Sequence, residues 1–280
     1  MQIGETTFDW GTKTFVMGVL NVTPDSFSRD GVGTDVERAV EQGLRFQEWG
    51  ADIIDIGGES TRPASIYPDS EMVSVIDELA RVLPVIEALT HLLKIPMSID
   101  TYKSEVATQA IASGAEIVND VWGLTGDPDI GAVIAKSGVP VILMHNQAHT
   151  RYRDVVPDVF GRLHELTQSA IELGISKENI ILDPGMGFGK TAQHNLQILR
   201  RLREFDALDL PLLVGLSRKS TIGYVLDLPV DDRIEGTAAT VAISIANGAD
   251  IVRVHDVKEM ARVAKMTDAI VRGWEPRSDS

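Results

Sequence analysis

At 280 residues, 44% of them hydrophobic, the chain is close to the ~250 residues of a typical one-domain α/β barrel, so a single domain over residues 1–280 is predicted. Its formal net charge of −15 at pH 7, with no basic tract, excludes nucleic acid as an expected partner. The lack of cysteine excludes disulfides and thiolate chemistry, and the lack of a long apolar run or an N-terminal leader argues against a membrane partner and predicts a cytoplasmic location.

Short apolar runs alternate with longer amphipathic segments along the chain. Residues 1–13 precede the first run and could form a small hairpin. Eight strands are predicted, at Thr14–Leu20, Asp52–Ile56, Ile95–Ile99, Glu116–Val118, Val139–Leu143, Asn179–Leu182, Leu212–Gly215 and Ile251–Val254. Helical spacing of apolar residues predicts intervening helices, for example over Val36–Trp49, Met72–Leu93 and Val159–Leu173.

Alternating strands and helices are typical of right-handed parallel β-α-β units, and eight such units close into a (β/α)8 TIM barrel of the α/β class. An open doubly wound sheet, which binds ligands at a single switch point, is the alternative. Polar residues follow nearly every predicted strand: Asn21, Asp55 and Glu59, Asp100, Asn119 and Asp120, His145, Asp183, Ser217 to Lys219, Arg253 and His255. Eight strand ends that converge on one face fit a barrel mouth better than a single crevice.

The segment from Ile180 to Lys190 carries Asp183 from an apolar strand into a glycine-rich loop. It is not a Walker A motif, because counting back from Lys190 places Pro184 where that motif requires its first glycine. A buried carboxylate needs partners, and a ligand edge with two N–H groups would supply them in bidentate fashion. A turn that begins at Asp183 is the alternative interpretation.

Two more strand ends carry candidate ligand-binding residues, each with a structural alternative. Asp100 precedes a helical segment and could simply be its N-cap. Asn119 and Asp120 could shape a turn. The Asn119 amide nevertheless both donates and accepts hydrogen bonds, which suits a heteroaromatic ligand.

Cations cluster after the last two predicted strands. Ser217 to Ser220 places two adjacent cations between hydroxyls, which is uncommon in so acidic a chain, although a solvated loop is the alternative. Arg253 and His255 alternate, so they point to the same side of an extended segment. With Asn21 they predict an anion cradle, in which arginine binds bidentately and histidine donates an imidazole N–H. A structural pair between Arg253 and Asp256 is the competing interpretation.

Seven ordered motifs, taken together, closely resemble the dihydropteroate synthase family across residues 14–272. They are Met17 to Ser28, Gly57 to Pro63, Ser98 to Asp100, Val118 to Asp120, the Asp183 segment, Ser217 to Ser220 and Arg253 to Asp256. The resemblance implies a barrel enzyme of folate biosynthesis that joins p-aminobenzoate to 6-hydroxymethyl-7,8-dihydropterin diphosphate, giving 7,8-dihydropteroate and diphosphate. It also implies a homodimer, with apolar positions of Lys258 to Val271 at the contact, and a site where sulfonamides mimic the aminobenzoate.

The resemblance further implies which residues hold each substrate. The pterin would lie among Asp100, Asn119, Asp183 and Lys219. The diphosphate would be held by Asn21, Arg253 and His255, with Asn21 also near a magnesium ion, Mg²⁺, which prefers oxygen ligands. The aminobenzoate would be framed by Thr61, Arg62, Pro63, Lys219 and Ser220.

The implied reaction assigns catalytic roles to Asp100, Lys219, Arg253 and His255. Loss of diphosphate leaves a cation on the pterin methylene, so cations should stabilise the leaving group and Asp100 the carbocation. Two positions depart from the family pattern: Arg29 stands between Ser28 and Asp30, and Met186 replaces an aromatic or aliphatic residue.

Two other functions use part of the same sequence. A pterin-binding methyltransferase barrel would share the pterin carboxylates but has no use for Ser217 to Ser220 or for the Arg253 and His255 cradle. A paralogue that binds pterin without turnover is suggested by the altered segment around Arg29. The cation motifs favour the synthase over the methyltransferase.

Overall fold

The computed structural model describes residues 1–22, 32–59 and 73–274, with only the backbone described for helix residues 32–35. Their strands are β1 Gln2–Ile3, β2 Thr6–Thr7, β3 Phe15–Asn21, β4 Ile53–Gly57, β5 Met97–Asp100, β6 Ile117–Asp120, β7 Val141–Met144, β8 Ile180–Asp183, β9 Leu213–Val214 and β10 Ile251–Val254. Their α-helices are α1 Val32–Trp49, α2 Val75–Thr90, α3 Ser104–Ala112, α4 Ile130–Ser137, α5 Val155–Glu172, α6 Ala192–Arg200, α7 Ser220–Leu226, α8 Ile234–Ala246 and α9 Val257–Val271. Within these ranges, no helix is both long and apolar enough to cross a membrane.

Strands β3 to β10 form one parallel eight-stranded sheet in the order β8-β7-β6-β5-β4-β3-β10-β9. The two ends of this sheet meet where Leu182 of β8 forms a parallel bridge with Leu212, next to β9. The Leu182 amide also donates to the Pro211 carbonyl at 2.9 Å. The predicted TIM barrel is therefore confirmed, and the open doubly wound sheet is wrong, because an open sheet would leave these two edges apart.

Side chains from alternate strand positions fill the barrel. One apolar cluster contains Phe15, Met17, Ile53, Ile117, Ile142, Ile181, Leu213 and Ile251. The intervening residues, such as Val16, Ile54 and Val118, belong to a second cluster shared with the helices. This division follows from the two-residue repeat of a strand. Asp55, Asn119, Asp183 and Arg253 come two residues after Ile53, Ile117, Ile181 and Ile251, so a polar layer lies above the apolar one.

The N-terminal hairpin closes the opposite end of the barrel. β1 and β2 pair antiparallel, with Gln2 opposite Thr7 and Ile3 opposite Thr6. Ile3 and Phe8 are buried in the interior cluster, and the Phe8 ring centroid lies 4.7 Å from that of Phe15 at the start of β3. The expected hairpin is confirmed, and it seals the amino ends of the strands with apolar side chains.

Two helices start at residues other than those predicted, and their capping residues explain the difference. α2 begins at Val75 rather than Met72, because the Ser74 side chain accepts the Asp77 N–H. α5 begins four residues before the predicted Val159, because Asp154 caps it by accepting the Val156 N–H. Apolar periodicity locates a helix, whereas the cap decides its first residue.

Candidate active site

A polar ring, consisting of Asp55, Asp100, Asn119, Asp183 and Arg253, lies at the carboxyl ends of the strands. Arg253 bonds two other members of the ring: Nε donates to Asp55 Oδ2 at 2.6 Å, and Nη2 donates to Asp100 Oδ2 at 2.7 Å. Asn119 Nδ2 donates to the same Asp55 oxygen at 3.1 Å. Parallel pairing creates this proximity, since Asp100 lies beside Asn119 in the β5–β6 register.

The structure separates the ligand-binding interpretations of Asp100 and Asn119 from the structural ones. The N-cap interpretation of Asp100 is wrong, because α3 begins at Ser104 after Lys103 and the Asp100 side chain bonds Arg253 instead. Asn119 points into the ring, whereas Asp120 shapes a turn by accepting the Trp122 and Leu124 amides at 2.8 and 2.6 Å. The turn interpretation is therefore correct for Asp120, whereas the Asn119 amide bonds Asp55 within the ring.

Two oxygens of the ring, Asp55 Oδ1 and Asp100 Oδ1, are buried and lack a hydrogen-bond partner among the described residues. Burying a polar atom without a partner costs roughly 1–3 kcal/mol, so such atoms are rare and call for an explanation. A ligand that donates hydrogen bonds would provide one. The unpartnered oxygens therefore make the ring a candidate binding site.

Burial raises the pKa of Asp100 to about 8, and the Arg253 guanidinium opposes this shift while the Asp55 carboxylate adds to it. A folded-state pKa above the ordinary 3.8 means that folded Asp100 keeps a proton that the unfolded chain has lost. Its contribution to stability is therefore complete below about pH 4 and is lost as the pH rises towards about 8.

We therefore expect the pH dependence of stability to differ between the parent protein and Asp100→Asn, which cannot titrate in this window. The unfolding free energy of the variant minus that of the parent should rise between about pH 4 and about pH 8. Urea unfolding of both proteins across this range measures the difference. A difference that does not change with pH would contradict the assignment.

Asp183 is the last residue of β8, and its two carboxylate oxygens have different surroundings. Its Oδ1 accepts the Gly185 N–H at 2.7 Å, so the turn interpretation is correct for this oxygen. No described residue donates a hydrogen bond to Oδ2, which leaves that oxygen for a ligand. Gly185 is required in this turn, since its φ is +69° and a Cβ would lie 2.0 Å from the His145 carbonyl oxygen. Burial raises the pKa of Asp183, and the Lys219 ammonium opposes that shift.

Lys219 immediately precedes α7 and reaches across to the loop that follows β8. Its Nζ donates to the Met186 carbonyl and lies 4.8 Å from the centroid of the Phe188 ring. Burial lowers the pKa of Lys219 to about 8, while the Asp183 carboxylate acts in the opposite direction. The neighbouring Ser220, the first residue of α7, is half-buried. A cation and a carboxylate thus face the same space from two different strand ends.

His255 follows β10 and is oriented by Ser217. The Ser217 Oγ accepts the His255 backbone N–H at 3.1 Å and lies 3.1 Å from Nδ1. Burial, helped by the Arg253 and Arg218 charges, lowers the pKa of His255 to about 4, so the ring is neutral at pH 7. A Ser217 hydroxyl that donates to Nδ1 leaves the proton on Nε2, which can then donate to an anion.

The competing Arg253–Asp256 pair is wrong. Asp256 instead binds Arg218, whose Nε donates to Asp256 Oδ2 at 2.9 Å while Nη2 donates to Oδ1. Arg218 has a positive φ of 57°, and its backbone N–H is held by the Thr237 hydroxyl at 3.1 Å. This second pair joins the segments after β9 and β10, which carry Lys219 and His255, and leaves Arg253 in the ring.

Asn21 ends β3 opposite Gly57, which in turn pairs with Asp100. A Cβ on Gly57 would lie 3.7 Å from Asn21 Oδ1 and 3.8 Å from Asp100 Oδ2, so both oxygens border the same small space. Of the other predicted contacts, Thr61, Arg62 and Pro63 lie outside the described residues. So do Arg29 and Asp30, where the sequence departs from the family pattern.

Two site residues had no predicted role. Asp55 was noted as polar, but its place in the ring could have been found by extending the inward positions of β4 from Ile53. Asn195 belongs to α6, where its Oδ1 accepts the Gly187 N–H at 3.0 Å and its Nδ2 donates to Thr221 Oγ1 at 2.8 Å. No local sequence signal marks Asn195, because its role depends on contacts between distant segments.

Comparison with known proteins identifies the family of the chain. Residues 17–255 match the family model described as pterin binding enzyme. The chain belongs to this family of pterin-binding enzymes. Over 97% of its length it is 50% identical to the complete dihydropteroate synthase of Clostridium beijerinckii. Among the members of the family, it groups with the dihydropteroate synthases.

Two solved structures extend the likeness to three dimensions. The dihydropteroate synthase of Clostridium difficile, determined in the presence of pteroic acid, has a TM-score of 0.88 and 47% identity, covering 95% of this chain and 100% of that one. The Xanthomonas albilineans enzyme with 4-aminobenzoic acid has a TM-score of 0.87 and 42% identity, covering 92% and 93% of the two chains. The barrel described above is therefore the barrel of this family.

Proposed function

We propose that the polar ring, with Lys219 and His255, forms the substrate site of the reaction that dihydropteroate synthases catalyse. The chain condenses p-aminobenzoate with 6-hydroxymethyl-7,8-dihydropterin diphosphate, giving 7,8-dihydropteroate and diphosphate in folate biosynthesis. One observation carries the assignment of residues. Buried acceptors, Asp100 and Asp183, and half-buried cations, Lys219 and Arg253, face one mouth of the barrel.

The pterin is assigned to Asp183, Asn119, Asp100 and Lys219. The free Asp183 oxygen would accept from the amino group and ring N–H of the pterin, while the Lys219 ammonium would donate to its carbonyl side. Asn119 is fixed by its bond to Asp55, so its carbonyl oxygen is available to a ligand donor. The unpartnered Asp100 Oδ1 is a further acceptor for the pterin.

The diphosphate is assigned to Arg253, His255 and Asn21. Arg253 donates one N–H group to Asp55 and one to Asp100. Its Nη1 bonds no described residue, so N–H donors remain for an anion. The neutral His255 ring adds an Nε2–H donor without adding a charge that burial would penalise. The two carboxylates hold Arg253 in place, so it need not reorganise when charge develops.

The chemistry follows from where charge develops. The bond between the pterin methylene and the diphosphate oxygen breaks, and a bond between the methylene and the neutral aryl amine nitrogen forms. Arg253 and His255 stabilise the negative charge on the departing diphosphate. The ionised form of Asp100, which the Arg253 charge favours, stabilises the cation on the methylene. An aryl amine is already unprotonated at neutral pH, so no base is needed before attack. The N–H proton that the nitrogen loses after attack passes to the released diphosphate or to water.

A magnesium ion fits the donor atoms present. Within residues 1–22, 32–59 and 73–274, no group of three or more histidine or acidic side chains is arranged to hold a metal. Mg²⁺ usually keeps several waters and takes one or two protein oxygens together with substrate phosphates. The Asn21 amide oxygen, next to the Asp100 carboxylate, is suited to that use. When bound, the ion would neutralise charge on the diphosphate.

The aminobenzoate is assigned to the side of the mouth next to α7. Ser220 follows Lys219 directly, so an aminobenzoate beside the pterin would meet both residues. Thr61, Arg62 and Pro63 are proposed to frame the same substrate, on the basis of their motif in the sequence. Sulfonamides, as aminobenzoate mimics, are proposed to compete at this position.

The assembly we propose is a cytoplasmic homodimer of single-domain chains, each a pterin-binding barrel over residues 1–280. Apolar side chains on two C-terminal helices support the dimer. Met266 and Ile270 of α9 are 62% and 71% exposed, and Ile243 of α8 is 48% exposed. Large apolar side chains exposed on neighbouring helices are unfavourable in water, and a patch of them is typical of an interface. Sedimentation of the protein, with Ile270→Glu as the disrupting variant, tests the dimer.

The activity is tested by supplying the purified protein with both substrates and Mg²⁺ and measuring diphosphate. We expect one diphosphate for each dihydropteroate formed, with neither product when the aminobenzoate is omitted. Pterin binding without diphosphate release would instead support the paralogue that binds without turnover. Transfer of a folate methyl group to a corrinoid would support the methyltransferase.

A further inference from the structure

Lys190, the last residue of the segment from Ile180 to Lys190, is buried behind the loop that follows β8. Only 5% of its surface is exposed. The ammonium Nζ lies 2.8 Å from His145 Nδ1, 2.9 Å from the Phe188 carbonyl oxygen and 3.4 Å from the His145 carbonyl oxygen. No carboxylate among the described residues pairs directly with it. Its three donors are therefore matched to three neutral acceptors, and it does not point outward as a phosphate-binding lysine would.

These acceptors belong to two strand ends of the barrel. His145 follows β7 and its backbone N–H donates to the Asp183 carbonyl oxygen at 2.9 Å, whereas Phe188 lies in the loop after β8. The two segments approach so closely that a Cβ on Gly189 would lie 2.3 Å from the Gln147 carbonyl oxygen. Through these hydrogen bonds, Lys190 connects the loop after β8 to the segment after β7.

The loop after β8 carries the contacts that hold Lys219. The Met186 carbonyl accepts from Lys219 Nζ, and the Phe188 ring lies beneath the same ammonium. Gly187 also packs against the Lys219 side chain, since a Cβ there would lie 3.3 Å from Lys219 Cδ. A shift of the Phe188 carbonyl would therefore move the Lys219 ammonium and the neighbouring Asp183 turn.

The charges of Lys190 and Asp183 attract each other across the site. Asp183 is buried, and the Lys190 charge opposes the rise of its pKa. Burial lowers the pKa of Lys190 to about 7 while Asp183 acts to raise it. Burial and the Lys190 charge lower the pKa of His145 to about 3, so its ring stays neutral and can accept a hydrogen bond.

We infer that Lys190 is a positioning residue for the pterin end of the site, which acts through Phe188 and His145 to hold Lys219 and Asp183 in their binding geometry. Lys190 itself touches no substrate. The inference rests on the proposed binding of pterin by Asp183 and Lys219, and it adds the buried cation on which their arrangement depends.

The test compares Lys190→Met with Lys177→Met. Methionine keeps the unbranched apolar length of lysine but removes its donors and charge. Lys177 is an exposed lysine whose ammonium pairs with Asp209 at 3.0 Å. Calorimetry with 6-hydroxymethyl-7,8-dihydropterin should show a Kd about 10-fold or more higher for Lys190→Met, as expected for the loss of about 1.4 kcal/mol or more. The KM for aminobenzoate should rise by a smaller factor than the pterin Kd, because Lys219 is only one of several residues proposed to frame that substrate. Lys177→Met should match the parent in both quantities.

An unchanged pterin Kd in folded Lys190→Met would overturn the inference, as would an equal rise in Kd and in the KM for aminobenzoate. If Lys190→Met does not fold, the pterin affinities of His145→Asn and His145→Leu test the inference instead. Asparagine keeps an acceptor for Lys190 near the Nδ1 position, and leucine does not. Weaker pterin binding by the leucine variant alone supports the inference, and equal affinities overturn it. If Asp183→Ala binds pterin normally, the proposed site itself fails.

Discussion

Asp183→Ala is expected to weaken binding of 6-hydroxymethyl-7,8-dihydropterin by about 10²- to 10⁴-fold. The variant removes two charge-assisted hydrogen bonds of roughly 1.5–3 kcal/mol each, and about 1.4 kcal/mol corresponds to a factor of ten in affinity. The pterin would also leave its own donors unpaired in a site that excludes water. Isothermal calorimetry with this diphosphate-free pterin measures the loss without requiring turnover.

Asp183→Asn separates the two functions of this side chain. The asparagine carbonyl can still accept the Gly185 N–H, so the turn is preserved, but an NH₂ group then faces the ligand donors. We expect its pterin affinity to be as low as that of the alanine variant. Asp209→Asn, at an exposed position, should bind like the parent. Near-parent affinity in Asp183→Asn would show that the residue shapes the loop only.

Arg253→Lys is expected to lower kcat by about 10²- to 10³-fold, the range for removing one preorganised donor from a transition-state site. Lysine keeps a cation between Asp55 and Asp100. Its compact ammonium lacks the planar fork of the guanidinium, so it cannot bond both carboxylates in the same geometry and also reach the diphosphate. Binding of the diphosphate-free pterin should change by no more than about 3-fold, since no pterin donor or acceptor is removed. Rapid-quench turnover and calorimetry report the two quantities separately.

Lysine is preferred to alanine here because of what the structure shows around Arg253. Alanine would leave the Asp55 and Asp100 carboxylates buried without their cation, at a cost of about 3–5 kcal/mol of stability. Arg201→Lys is the matched control, because Arg201 forms exposed pairs with Asp154 and Glu204. An equal loss of pterin affinity and turnover in Arg253→Lys would argue against a role at the leaving group.

Some features of the site could be predicted from local sequence, and others could not. Asn119, Asp183 and Arg253 were predicted because each follows a recognisable apolar strand. The partners of Arg253 were not, since Asp55 and Asp100 are 198 and 153 residues away in the chain. Local propensity also suggested an N-cap for Asp100, and the ion pair in the barrel mouth overrides that preference.

The sequence by itself determined the barrel and its polar mouth, because alternation of strands with helices and polar strand ends are properties of short segments. Its motifs also determined the family. Only the tertiary structure decided which cation pairs with which carboxylate, that Lys190 points inward, and that Ser217 orients His255. These contacts depend on the registers of eight strands closed into one barrel. The registers set the distances between residues that are far apart in the sequence.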